Sequence, residues 1–268
     1  MTRRAKLVVN KMKKDTMYFR KDPEAPQASK QKCPNNTSTF NQPTNYGRVA
    51  QPAKLTLAQK FEFVLTLINR FLIGFITVYL CWMSLRLDLE DITWHALFCT
   101  LGFLCLMSEG LIAYYNGNIW TQVCPRPEKA RLHWVLQIFG SVIGLAGVVI
   151  KIFLEDVHFQ TRHGIVGLAT TIILLISLLS GLISLYAAEL KSRLQPRFNK
   201  TLHNIIGLTT FTLAMLSMYY SFDTDLFNVY SIDTASFNDF RLLMKIIIIV
   251  IYVLSVYGPL WCLFYSRI

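Results

Sequence analysis

The sequence has 268 residues, of which 53% are hydrophobic and 16% charged, and its mean hydropathy is +0.38. One core of a water-soluble domain of this size cannot bury so much apolar surface, so the composition excludes a soluble globular protein and predicts lipid-facing segments. The net charge of +11 does not indicate a nucleic-acid partner, because the basic residues lie between long apolar blocks. Six cysteines without a CxxC pair exclude a disulfide framework and a cysteine zinc site.

Residues 1–58 are polar, contain several prolines and carry clusters of basic residues with little apolar periodicity. This composition predicts a disordered, basic cytosolic tail, followed by a membrane domain over residues 59–268. A cleavable signal peptide is not expected, because no apolar stretch follows the early basic residues. A basic tail beside a membrane span is attracted to anionic lipid of the cytosolic leaflet.

Six apolar blocks follow the tail, and each is long enough to cross about 30 Å of hydrocarbon as a helix. They cover approximately residues 63–85, 94–115, 132–154, 163–186, 203–220 and 242–264. The sequence therefore predicts an all-α, polytopic membrane protein built as a bundle of six transmembrane helices. The connections are short except for residues 221–241, so any chemistry takes place in the bundle or beside it.

The lysines and arginines are distributed unequally between the two sides of these blocks. On the side of the two termini lie 22 of them, and five lie on the opposite side. The positive-inside rule then predicts a multi-pass protein with both termini in the cytosol. We expect it in an endomembrane, such as the endoplasmic reticulum or a vesicle, or in the plasma membrane.

Four of the five histidines stand at the first or second position of four consecutive blocks: His95, His133, His163 and His203. A single histidine at a membrane edge is most often an interfacial polar residue with a water partner. Alternate helices enter from opposite faces, however, so His95 and His163 share the non-cytosolic edge and His133 and His203 share the cytosolic edge. Two histidines at one depth can face each other across a bundle, as bis-imidazole ligation of a haem iron requires.

Two such pairs predict two b-type haems in a central core of four helices. Small residues that would leave room for a flat macrocycle follow the histidines by one or two turns, at Gly102, Gly140, Gly167 and Gly207. Glycines in membrane helices also mark close helix packing. A zinc ion shared by all four histidines is excluded, because the pairs are separated by most of the membrane whereas zinc ligands lie about 2.1 Å from their ion.

The segments around the histidines contain specific motifs. They are Trp94-His95, Arg131-Leu132-His133-Trp134 with Gln137, His158-Phe159 with Arg162-His163-Gly164 and Gly167, and Leu202-His203 with Gly207. From about residue 67 to the C-terminus the sequence resembles the eukaryotic cytochrome b561 family. The RLHW motif and Ser108-Glu109-Gly110-Leu111 are most similar to the short cytochrome b561 domain-containing subgroup.

The resemblance implies a transmembrane reductase that takes electrons from cytosolic ascorbate and passes them to monodehydroascorbate or a ferric chelate, and it implies a homodimer. Asn116 and Glu128 stand near positions where other members carry basic substrate residues. Candidate substrate contacts are therefore the charges that flank each histidine pair, which attract anions at short range. They are Lys129, Arg131 and Lys200 at the cytosolic edge, and His158 and Arg162 at the other edge.

Two other functions are compatible with the sequence. One is a non-redox six-helix transporter whose histidines bind protons or substrate, although neither broken helices nor an internal repeat is evident. The other is a haem subunit that delivers electrons to a partner protein. Glu109, the one acid well inside a block, is either a functional residue or a side chain that reaches interfacial water.

The charge asymmetry gives a testable orientation. An N-terminal tag on the protein in sealed vesicles should be accessible to protease from the cytosolic side, and the sequons at Asn35 and Asn36 should carry no glycan. Protection of the tag inside the vesicle would reverse the topology and exchange the faces of the two histidine pairs.

Overall fold

The computed structural model of the chain describes residues 56–86, 91–114, 118, 120–121, 123–154, 159–186, 196–224, 227 and 234–265. These residues belong to the second of two units into which the chain divides, Ala53–Ile268. Nearly all of the predicted tail, residues 1–58, lies outside the described residues, and so does His158.

Helices account for all the regular structure of the described residues. Helix α1 spans Leu57–Arg86, and α2 consists of three consecutive segments, Asp91–Cys99, Thr100–Leu106 and Met107–Ile112. The remaining helices are α3 over Arg126–Leu154, α4 over Arg162–Tyr186, α5 over Pro196–Ser221 and α6 over Thr234–Tyr265. All six are long and apolar enough to cross a membrane, which confirms the predicted all-α, six-helix membrane fold.

The helices begin before the apolar blocks do, because their first turns are polar and capped. At α1, Thr56 and Gln59 form a capping box, in which the Gln59 amide donates to Thr56 Oγ1 at 3.3 Å and the Thr56 amide donates to Gln59 Oε1 at 2.9 Å. Thr161 caps α4 through its hydroxyl oxygen, which accepts from the Gly164 amide. His133 and His203 consequently lie two turns inside α3 and α5, each at the eighth residue of its helix.

The middle of α2 is a π-helix over Thr100–Leu106, a rare conformation that often occurs near functional sites. Here α2 lies directly against the backbone of α3. A Cβ atom at Gly102 would be 2.5 Å from the Gly140 carbonyl oxygen and 2.5 Å from the Gly144 amide nitrogen. The crossing therefore requires glycine at position 102, as in other close contacts between membrane helices.

The helices pack as two hairpins and a flanking pair. Within the described residues, α2 packs closely on α3 and α4 packs closely on α5, and the two hairpins meet through apolar side chains that include Phe103, Leu174 and Ala214. Helix α1 packs on α2 and α6, and α6 also packs on α2 and α5, around a core that includes Ile76, Leu104 and Met244. Large apolar side chains such as Phe139 and Leu179 are exposed on the outer surfaces, as contact with lipid allows.

Substitution of Gly102 tests the α2–α3 crossing. Gly102→Ala should destabilise the protein, because the added methyl group overlaps backbone atoms of α3 that cannot rotate away; overpacking of this kind costs about 1–3 kcal/mol. Thermal unfolding in detergent should show a lowered Tm. Gly74→Ala is the matched control, since no atom lies within 4 Å of a Cβ there, and its Tm should stay equal or rise slightly. Equal Tm values for the two variants would contradict the crossing.

Candidate functional site

The structure brings the four histidines together in the two pairs that the topology predicts. The rings of His95 on α2 and His163 on α4 have centroids 5.9 Å apart with planes at 78°. The rings of His133 on α3 and His203 on α5 have centroids 6.3 Å apart with planes at 84°. We call these the His95 pair and the His133 pair. Each pair consists of one histidine from each hairpin.

Each histidine also uses its Nδ1 atom in a hydrogen bond within its own hairpin. In the first hairpin, His95 Nδ1 lies 2.9 Å from the Gly147 carbonyl oxygen, and His133 Nδ1 lies 2.7 Å from the Gly110 carbonyl oxygen. In the second hairpin, His163 Nδ1 lies 2.9 Å from the Ser217 carbonyl oxygen, and His203 Nδ1 lies 3.0 Å from Ser180 Oγ. The Ser180 hydroxyl itself donates to the Ser177 carbonyl, so it accepts from the histidine.

These partners determine which ring nitrogen is basic. A carbonyl oxygen can only accept, so Nδ1 of each of the first three histidines carries the proton, and the Ser180 hydroxyl imposes the same tautomer on His203. The lone pair of each ring then lies on Nε2. Metal-binding histidines typically donate the other ring N–H to a carbonyl or similar group, which fixes the orientation of the ring and raises its basicity.

The hydrogen bonds are reciprocal within each hairpin. In the first hairpin, α2 donates to α3 through His95 and α3 donates to α2 through His133. In the second hairpin, α4 donates to α5 through His163 and α5 donates to α4 through His203. Each hairpin is thus joined at two levels, which lie about 21 Å apart on α3, since 14 residues separate His133 from Gly147.

The pairs fit bis-histidine ligation of an iron. Two rings on opposite sides of one ion have centroids about 6 Å apart, because an imidazole nitrogen binds a metal at about 2 Å and lies about 1 Å from its ring centre. Two aromatic rings in ordinary edge-to-face contact have a similar centroid separation, so the distance alone does not distinguish metal ligation from ring packing. The uniform Nδ1–H tautomers favour ligation, because they leave Nε2 of every ring as the basic atom. In the described part of the chain, no group of three histidines, cysteines or carboxylates could hold a metal ion.

The predicted role of two glycines needs correction. Gly102 and Gly140 do not leave room beside a histidine, because each occupies the contact between α2 and α3, where a Cβ at Gly140 would lie 2.9 Å from the Gly102 carbonyl oxygen. Gly167 and Gly207 face only hydroxyl groups at 3.4 Å and 3.7 Å, so their predicted role stays a prediction.

Sequence analysis missed other glycines that contact the site. A Cβ at Gly181 would lie 3.0 Å from His203 Cε1, and one at Gly110 would lie 2.9 Å from Gln137 Nε2. Backbone partners have no sequence signature of their own. The available sequence signal for two of these partners was glycine, at Gly110 and Gly147, whose carbonyls accept from a histidine of the neighbouring helix.

The predicted substrate residues lie at the ends of the helices that carry the histidines. Lys129 stands one helical turn before His133 and is buried, with a relative exposure of 6%, whereas Arg131 is exposed. Lys200 is exposed in the first turns of α5, and Arg162 is exposed at the start of α4. His158 lies outside the described residues.

Tyr114 is a further neighbour of the His133 pair that sequence analysis did not identify. Its ring lies edge-to-face against His133 with centroids 5.3 Å apart, and 45% of the residue is exposed. Burial raises the pKa of the Tyr114 phenol, and the nearby Arg126 acts in the opposite direction. The phenol therefore stays protonated at neutral pH and adds a hydrogen-bond donor at this edge.

Comparison with known proteins adds sequence evidence to this geometry. Residues 94–228, half of the chain, match the sequence model described as eukaryotic cytochrome b561. The proteins named "Transmembrane reductase CYB561D2" from Mus musculus and Homo sapiens are each 34% identical to this chain over 80 residues, which are 28% of this chain and 36% of the relative. "Probable transmembrane reductase CYB561D1" from Mus musculus is 30% identical over 102 residues, 37% of this chain and 44% of the relative. The chain thus matches less than half the length of these relatives.

The fold and the site together define a polytopic α-helical membrane protein with two histidine pairs at two levels of a four-helix core. The chain belongs to the eukaryotic cytochrome b561 family, a family of b-type haem proteins. The resemblance seen in the sequence is confirmed.

Proposed function

We propose that this protein transfers single electrons across a membrane, from cytosolic ascorbate to monodehydroascorbate or a ferric chelate on the opposite side. The observation that carries the proposal is the arrangement of the histidines in two facing pairs, in which Nδ1 of every ring is held by a group of the neighbouring helix. The relatives named transmembrane reductases support electron transfer across a membrane.

In this proposal the His95 pair would hold one b-type haem and the His133 pair a second, each through its Nε2 atoms. A bound haem iron accepts and releases one electron at a time. The Nδ1 hydrogen bonds orient the four rings and increase the basicity of Nε2, and the apolar helix faces limit access of water to the site.

The donor would dock at the His133 pair. Ascorbate monoanion loses one electron and one proton there and leaves as monodehydroascorbate, so positive side chains favour its binding. Lys129, Arg131 and Lys200 supply that charge. Lys129 shares the helix face of His133, because it lies four residues before it, whereas Arg131 lies two residues before it and points to another side. We therefore expect Lys129 to contribute most.

The acceptor would dock at the His95 pair. There a ferric chelate takes up one electron and becomes ferrous, or monodehydroascorbate takes up one electron and one proton and becomes ascorbate. Arg162, next to His163 and exposed at the start of α4, is a proposed contact for these anions. His158 is the second proposed contact.

We place both ends of the chain on the cytosolic side. Six spans return the chain to the side on which it began, and the excess of basic residues lies there. Location in an endomembrane or the plasma membrane, and assembly as a homodimer, are parts of the same proposal.

Haem content of single variants tests the pairing. His133→Ala and His203→Ala should remove the same spectral component, whereas His95→Ala and His163→Ala should remove the other, because both members of a pair are needed to hold one iron. The measurement is haem quantification with dithionite-reduced minus oxidised spectra of each purified variant.

Ser180→Ala is the matched control, since it removes the Nδ1 partner of His203 without removing a ligand. It should retain both components. Loss of the same component in His95→Ala and His133→Ala would contradict the pairing, and a wild-type protein without haem would contradict the proposed function.

Steady-state kinetics test the donor site. Neutralising Lys129 and Arg131 together should raise the KM for ascorbate several-fold without changing haem content or reduction by dithionite, because these side chains would bind the anion without ligating iron. Lys129→Gln alone should reproduce most of the effect, with Arg131→Gln as the matched control on the same helix. A lost direct contact should persist at high salt, whereas a change in the general surface field should fade. Wild-type kinetics in the double variant would move the donor site elsewhere.

A further inference from the structure

Arg70 on α1 and Glu109 on α2 form an ion pair inside the bundle. Arg70 Nε lies 3.0 Å from Glu109 Oε1 and Arg70 Nη2 lies 2.8 Å from Glu109 Oε2, so the two groups meet in bidentate geometry. The side chains are only 17% and 31% exposed. The Arg70 guanidinium also lies 5.3 Å from the ring centre of Trp120, which follows α2. The pair therefore connects α1, α2 and the segment after α2.

Stability alone does not account for this pair. Moving two charges out of water is expensive, and apolar side chains of similar volume often replace a buried ion pair without loss of stability. Arg70 Nη1 is buried without a hydrogen-bond partner among the described residues, so this nitrogen loses its hydration without gaining a hydrogen bond. A pair retained under these conditions points to a role in the site nearby.

The neighbouring residue provides the connection to that site. Gly110, which directly follows Glu109, accepts the hydrogen bond of His133 at 2.7 Å, the shortest of the four Nδ1 contacts. One turn earlier, the Met107 carbonyl accepts from Gln137 Nε2 at 3.2 Å. The last turn of α2 is therefore held to α3 by two hydrogen bonds and to α1 by the ion pair, so the position of the Gly110 carbonyl depends on all three helices.

We propose that the Arg70–Glu109 pair sets the reduction potential of the haem held by the His133 pair. The inference rests on the proposed function. Both are positioning residues, which act by holding the Gly110 carbonyl and by keeping two opposite charges in balance beside Gly110. Hydrogen bonds around an axial ligand and nearby charge are the groups through which a protein tunes such a potential. Both side chains are mostly shielded from water, so salt screens their charges less than those of fully exposed groups.

The sign of the effect follows from the charge that each variant leaves behind. Reduction adds a negative charge, so Glu109→Gln should raise the potential of this haem, because the positive charge of Arg70 is no longer balanced. Arg70→Gln should lower it, because the negative charge of Glu109 is no longer balanced. The double variant should lie closer to wild type than either single variant.

The experiment is a spectroscopic redox titration of the purified, haem-loaded variants. The relevant component is the one lost in His133→Ala, and the potential of the other haem should not change. Asp223→Asn is the matched control, because it removes an ion pair with Lys245 at the other end of α5 and should leave this component at its wild-type potential. Arg70→Lys and Glu109→Asp keep their charges and should shift the potential less than the neutral variants, and they remain available if a neutral variant does not fold.

The outcomes separate the two proposals. Shifts in the same direction for Arg70→Gln and Glu109→Gln, equal shifts of both haems, or unchanged potentials in a wild-type protein that holds two haems would overturn the role of the pair and leave the proposed function intact. A wild-type protein that holds no haem would overturn the proposed function itself.

Discussion

The hydrogen bond from a histidine to a group on the neighbouring helix is the interaction on which this structure depends. A helix carbonyl already accepts the amide of the next turn, but its oxygen has a second lone pair that an imidazole N–H can use. Such a bond requires two helices to approach closely. At Gly110 and Gly147 the missing side chain permits that approach, and at Ser217 and Ser180 a small side chain does. The small residues of the core are therefore part of the histidine site.

Reciprocal bonding makes each hairpin a unit that orients its own histidines. Because both levels of a hairpin are joined by an imidazole, neither ring can rotate without losing a partner for a buried polar group, which is costly in an apolar environment. Between the two levels, apolar side chains that include Phe103, Leu174 and Ala214 pack the hairpins against each other, and at each level two histidine rings face each other. The hydrogen bonds within the hairpins thus hold the four Nε2 atoms in position, which is the preorganisation that a cofactor site requires.

Apolar block length predicted the six helices, and alternation of helix direction predicted the two histidine pairs. Most of the helices begin several residues before the apolar blocks, because capping residues such as Thr56 lie in the polar sequence that precedes the block. The π-helix at Thr100–Leu106 could not be predicted, since this backbone conformation has no residue-specific signature, and for two of the carbonyl partners the available signal was a glycine, at Gly110 and Gly147. The sequence identifies Glu109 as an acid well inside an apolar block, and the structure pairs it with Arg70 of α1. Their pairing depends on the depth and rotation of two helices, which hydropathy does not supply.

The two histidine pairs have the same pattern of Nδ1 hydrogen bonds but differ in the residues around them. The Tyr114 ring lies against His133, and the Arg70–Glu109 pair adjoins Gly110, whose carbonyl accepts from His133. At the His95 pair, the Cys99 sulfur lies 3.6 Å from the Nδ1 atom of His95. In the proposed function these surroundings would give the two haems different potentials, because hydrogen bonding, charge and exposure near the axial ligands set the potential of a haem. Residues outside the repeated hydrogen-bond pattern would thereby distinguish the proposed donor side from the proposed acceptor side, which a symmetrical core alone cannot do.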